Sequence, residues 1–182
     1  MCTRSLIALL SVVSSLAPAQ PYGLGKPATE REIAGWNIDV TPDGKGLPKG
    51  SGSVAQGKVV YDKQCAACHG PKGEGKPADR LVGGQGTIAS GKPVRTIGSF
   101  WPFATTVYDY VFRAMPYNAP QSLTPDEVYA VTAYLLHLNG IVNDSAVMDA
   151  ASLPKVQMPN RAGFVMDNRP DTANTPCRVD CR

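Results

Sequence analysis

Gly57-Lys-Val-Val-Tyr61-Asp-Lys-Gln-Cys65-Ala-Ala-Cys68-His69 is the stretch that decides the fold. Two thiols separated by two residues, with an imidazole immediately after, form the C-x-x-C-H pattern of c-type haem attachment. The gap matches the separation of two haem vinyl groups, so Cys65 and Cys68 are the expected thioether residues and His69 the expected proximal ligand of the iron. A structural zinc site would need four protein ligands. His137 lies in another predicted helix, and the second cysteine pair, Cys177 and Cys181, is over a hundred residues away. A thioredoxin-like pair wants a strand before the motif, whereas here a helix precedes it.

That helix is predicted to begin near Ser53, whose spacing to Gln56 suits a capping box, and to run through Gly57, Val60, Tyr61 and Gln64 into the cysteines. From Gly70 to Gly98 the chain is rich in Gly, Pro and Lys with little periodicity, which suits a loop wrapped round a ligand. Val107, Tyr108, Val111 and Phe112 then recur at helical spacing, predicting a helix from about Thr106 to Ala114 that stops at Met115-Pro116. The next helix has the strongest start signal, with Thr124 as N-cap, Pro125 at the first position and Glu127 as capping-box acid. Val128, Val131, Leu135 and Leu138 give it an apolar stripe, and Asn139-Gly140 ends it.

The second axial ligand has five candidates after the N-terminal segment: Met115, Met148, Met158, Met166 and His137. Met115 is preferred because it follows one helix and sits in a loop ahead of the next, where it can reach the haem face opposite His69. A methionine there raises the reduction potential relative to two histidines. Met148, Met158 and Met166 are expected to be core fillers, and His137 a residue at the helix boundary. Gly57 and Tyr61 are placed for a close crossing with Tyr134 and Leu135 of the last helix. Lys92, Arg95, Trp101 and Tyr108 are candidate partners for haem propionates, although solvated charges and core aromatics explain them equally.

The flanks are different in kind. Residues 1–19 combine Arg4, an apolar run from Leu6 to Val13 and a small-residue end at Ala17-Pro-Ala19, the layout of a cleavable export signal. The apolar run is too short to span a bilayer. An arm follows at 20–52, rich in turn residues, with one short helix expected where Thr29 and Glu32 make a capping box. Such an arm holds structure only by lying on something else. The haem domain is expected over 53–140, with a second irregular extension at 141–182. The 182 residues contain 18 Gly and 16 Pro, so much of the chain is loop. The net charge is +3, falling to about +2 without residues 1–19, and no clustered basic stripe points to nucleic acid. Cys177 and Cys181 have the wrong spacing for a second haem. A short-loop disulfide is the plainest reading, with an intermolecular bridge as its alternative.

The helix bearing Gly57, Tyr61 and the haem motif, then Met115-Pro116, then Leu123-Thr-Pro-Asp-Glu-Val-Tyr-Ala-Val-Thr-Ala-Tyr134, together resemble the class I cytochrome c family over about residues 53–139. That resemblance implies an all-α haem domain. Family members have Pro-x-Leu-x-Gly after the motif, with the proline carbonyl steadying the ligand histidine, whereas this chain has Asp79-Arg-Leu-Val-Gly83. Outside the domain, Gly23-Leu-Gly-Lys-Pro-Ala-Thr29, Ile33-Ala-Gly-Trp36, Asp39-Val-Thr-Pro-Asp-Gly44, Thr96-Ile-Gly-Ser-Phe-Trp-Pro-Phe-Ala-Thr-Thr106, Pro120-Gln-Ser-Leu123 and Leu153-Pro-Lys-Val-Gln-Met-Pro-Asn160 resemble the SoxD-type cytochrome subunits of sulfur dehydrogenases. What this implies is a periplasmic complex with a molybdenum-cofactor subunit of SoxC type, which oxidises sulfane sulfur during thiosulfate oxidation. The cytochrome would accept the electrons through one haem c and pass them to a downstream cytochrome c or oxidase, with no sulfur chemistry of its own. A free monohaem carrier and a sulfite dehydrogenase subunit are the alternatives.

Overall fold

The computed structural model describes residues 24–167. It divides the chain into two compact units, Met1–Trp36 and Asn37–Arg182. In the first, the described part holds a short helix α1 (Glu30–Ala34), started by the Thr29/Glu32 capping box and further served by a Lys26–Glu32 ion pair. Ile33 and Trp36 are left exposed.

In the second unit the elements are β1 (Ser51–Ser53), α2 (Val54–Gln64), α3 (Ala66–His69), α4 (Ala104–Ala114), α5 (Pro125–Leu138), β2 (Val147–Asp149) and a 3-10 turn at Leu153–Lys155. Both predicted capping boxes are present: the Gln56 N–H donates to Ser53 Oγ, and the Glu127 N–H to Thr124 Oγ1. Each leaves one fewer helix-end amide unsatisfied. Helix α4 begins two residues earlier than expected, at Ala104. Phe103, its N-cap, has no capping side chain to announce that start.

Helix α5 is the centre of the core. Its predicted stripe is only part of what is covered, because every residue from Val128 to Leu136 is buried. Helices α2 and α4 pack on it, and so do the two flanking segments. From the N-terminal side, the Tyr129 hydroxyl donates to Pro48 O at 2.9 Å and the Ser51 N–H to Asp126 Oδ1 at 2.7 Å. From the C-terminal side, β2 pairs antiparallel with β1, aligning Met148 with Gly52. Met148, Leu153 and Met158 are all buried in the common core. The C-terminal segment therefore contributes apolar surface to the haem-domain helices instead of trailing from them.

Asp109 of α4 shows how the arm is pinned. Its buried carboxylate accepts the Val40 N–H at 2.8 Å and pairs with both Nε and Nη2 of Arg113. Hydrogen bonds to charged groups are worth about 1.5–3 kcal/mol each. Asp109→Ala is therefore expected to lower stability by about 2 kcal/mol and to speed proteolysis between residues 37 and 50. Urea unfolding and limited digestion check this.

Candidate haem site

Cys65 ends α2, donating its N–H to Tyr61 O at 2.9 Å, and its backbone departs from the helix there. The chain then turns tightly. The Cys68 and His69 N–H groups both donate to Cys65 O, at 3.1 and 3.0 Å, so the two thiols and the imidazole share one turn. Neither thiol is in a disulfide. Cys65 is half-buried against the core and Cys68 is exposed. Burial, and then the neighbouring Cys68, pushes the Cys65 thiol up to about 11. Among the described residues no group of three or more His, Cys, Asp or Glu side chains is arranged to hold a metal ion.

The glycine-rich loop folds back on this turn. Gly75 N–H donates to His69 O and Ala78 N–H to Cys68 O, both at 2.8 Å, and the Leu81 and Val82 N–H groups reach Gly73 O. The buried Tyr61 hydroxyl donates to Gly70 O at 2.7 Å. Gly70 has φ +81°, and a Cβ there would lie 2.6 Å from the Glu74 carboxylate. The backbone conformation favours glycine there, and the Glu74 side chain would have to move to admit a Cβ.

His69 Nδ1 lies 2.7 Å from the Asp79 main-chain oxygen. A carbonyl can only accept, so Nδ1 carries the proton and Nε2 keeps its lone pair for a metal. The proline whose carbonyl makes this contact in the resembled family is replaced here by Asp79. Asp79 supplies it through its backbone, which does not depend on the side chain.

Met115 is the C-cap of α4, extended at φ −123°, with its N–H on Val111 O. It is half-buried and packs on the same core as Cys65, Leu81, Trp101 and Phe112. Met148 and Met158 are consumed by the core, as expected, but Met166 is 91% exposed and fills nothing. His137 Nδ1 meets Val142 O at 3.3 Å at the helix boundary.

The four propionate candidates are scattered. Lys92 is exposed, Arg95 stacks over Phe100, and Trp101 meets Tyr110 edge-on. Tyr108 is fully buried 4.5 Å from Tyr129 between α4 and α5, where burial raises its hydroxyl pKa well above the ordinary value. Asn139, which the sequence discloses only as a helix stop, bonds Leu81 and Gly83 of the glycine-rich loop through its side chain.

Free thiols on one turn, a histidine with its outer nitrogen fixed as a donor, and a methionine at a helix end make a donor set that fits haem c. The cytochrome c family model matches residues 54–139. The chain is also 44% identical to a chain in the crystal structure of the sulfane dehydrogenase SoxCD from Paracoccus pantotrophus, covering 88% of this chain and 82% of that one with a TM-score of 0.77. The chain belongs to the cytochrome c family. This cytochrome is in addition 31% identical over 128 residues to a thiosulfate dehydrogenase of Stutzerimonas stutzeri (strain A1501). That match takes in 68% of this chain and 38% of the relative, so the chain spans well under half of the relative's length. Its class I cytochrome c fold explains why the turn at Cys65–His69 is built where α2 meets the core. Membership implies covalently bound haem c. No helix among the described residues is long and apolar enough to cross a membrane.

Proposed function

We propose that this cytochrome is the electron-accepting subunit of a periplasmic sulfur dehydrogenase, carrying one haem c on Cys65 and Cys68 with His69 and Met115 as axial ligands. The observation that carries the reading is the reach of the SoxCD match. It covers 88% of the chain, whereas the cytochrome c model stops at residues 54 and 139, so the likeness includes the flanking segments. A minimal diffusing carrier has no need of those segments. The thiosulfate dehydrogenase match points to the same class of electron donor.

The haem, when bound, supplies a one-electron iron couple. The protein's own part is positional. Cys65 and Cys68 would hold the group to the end of α2, His69 would present Nε2 while its Nδ1–H donates to the Asp79 carbonyl, and Met115 would offer a thioether from the end of α4. Methionine ligation sets a potential higher than that of two histidines, suited to an acceptor. The electrons arrive from a molybdenum-cofactor subunit of SoxC type and leave to a downstream cytochrome c or oxidase. Export through residues 1–19 places the chain in the periplasm.

Purification from the native periplasm tests this. The cytochrome is expected to elute with a molybdenum protein, and its haem absorbance to show reduction when a sulfane-sulfur substrate is added. A lone monomer that no sulfur donor reduces through a partner contradicts the reading in favour of a free carrier.

A further inference from the structure

Asn139 is 7% exposed at the end of α5, and its side chain is committed to the haem loop. The carboxamide nitrogen donates to Leu135 O at 2.9 Å, within its own helix, and to Leu81 O at 3.2 Å. The carboxamide oxygen accepts the Gly83 N–H at 3.1 Å. Its backbone oxygen takes a further bond from Gln85 Nε2 at 3.0 Å. Three of the amide's four hydrogen-bonding positions are thus filled by backbone. Gly98 closes the pocket: a Cβ there would come within 2.4 Å of Asn139 Oδ1. Thr96, on the same loop, donates its hydroxyl to Gly83 O.

The segment so held begins two residues after Asp79, whose carbonyl accepts the hydrogen bond from His69 Nδ1. Leu81 is tied at its other face, through its N–H, to Gly73 O at 2.8 Å. The path from Asn139 to the imidazole is therefore short and made of backbone hydrogen bonds. Aspartate keeps the acceptor for Gly83 but sets a charge against the Leu81 and Leu135 carbonyls, and alanine keeps only the backbone bonds.

We propose that Asn139 is a positioning residue of the haem site: by clamping Leu81 and Gly83 to the end of α5 it holds the Asp79 carbonyl on His69 and so sets the donor strength of that histidine. This rests on the reading of His69 as axial ligand. A carbonyl that accepts from the outer ring nitrogen raises the basicity of a ligating histidine and favours the oxidised metal. Slackening the clamp therefore raises the reduction potential.

The test uses the purified holoprotein, with the midpoint potential and the paramagnetically shifted His69 ring resonances as readouts. In the wild type those shifted resonances are expected. Their absence removes His69 as ligand, whatever Asn139 does. With them present, Asn139→Ala is expected to raise the potential and move the resonances. Thr124→Ala, which uncaps the far end of the same helix, lowers the melting temperature without either change. A lower melting temperature with unchanged potential and resonances in Asn139→Ala overturns the proposal. If that variant yields no holoprotein, Asn139→Asp is measured instead, with the same two outcomes. The wild type gives an independent check, because the Gly83 amide proton is expected to exchange slowly, and rapid exchange there overturns the clamp without any variant.

Discussion

Gly57→Val is expected to leave little or no haem-loaded protein, with any that folds destabilised by at least about 3 kcal/mol, the upper end of overpacking costs. A Cβ on Gly57 would lie 1.9 Å from Ala130 O, 2.5 Å from Ala130 C and 2.8 Å from Tyr134 Cβ. Two of those atoms are backbone of the buried helix α5 and cannot rotate away. The helices would have to part, and the Tyr61–Tyr134 ring contact at 5.4 Å parts with them. Because α2 ends at Cys65, its displacement moves the attachment turn as well. Haem content per chain and the far-ultraviolet circular dichroism melt check both effects.

Met115→Ala is the second large change. It is expected to abolish the sulfur-to-iron charge-transfer band and lower the reduction potential, because no other methionine among the described residues is placed to substitute. Met148 and Met158 are locked in the core, and Met166 lies on the exposed C-terminal segment. Truncating a half-buried methionine also costs about 2 kcal/mol, at the low end for such changes. Survival of the band would remove Met115 from the iron. Absorption spectra of the oxidised variant and a redox titration give the answer.

Features written within three or four residues were legible in the sequence. The capping boxes at Thr29, Ser53 and Thr124 and the stop at Asn139-Gly140 each depend on neighbours along the chain, and each stands where expected. The start of α4 was not, because Phe103 offers no local signal. Features that depend on distant partners were also hidden. The burial of α5 beyond its apolar stripe follows from flanking segments that bring Val40, Met148 and Leu153 to the core. The Asp79 contact to His69 escaped a reading tied to proline because the backbone makes it. Asn139 was visible only as a terminator, since its partners Leu81 and Gly83 lie 58 and 56 residues away. Met166 looked apolar enough for a core but is 91% exposed. Cys177, Cys181 and the proposed export signal lie outside the described residues.

Covalent attachment of a single haem through Cys65 and Cys68 is the claim on which the rest depends. Intact-mass measurement of the purified, acid-denatured protein, followed by mapping of the peptide that contains both cysteines, tests it most directly. The expected result is one haem per chain that resists acid-acetone extraction and maps to that peptide. Haem that extracts into the solvent, or more than one haem retained per chain, would contradict it.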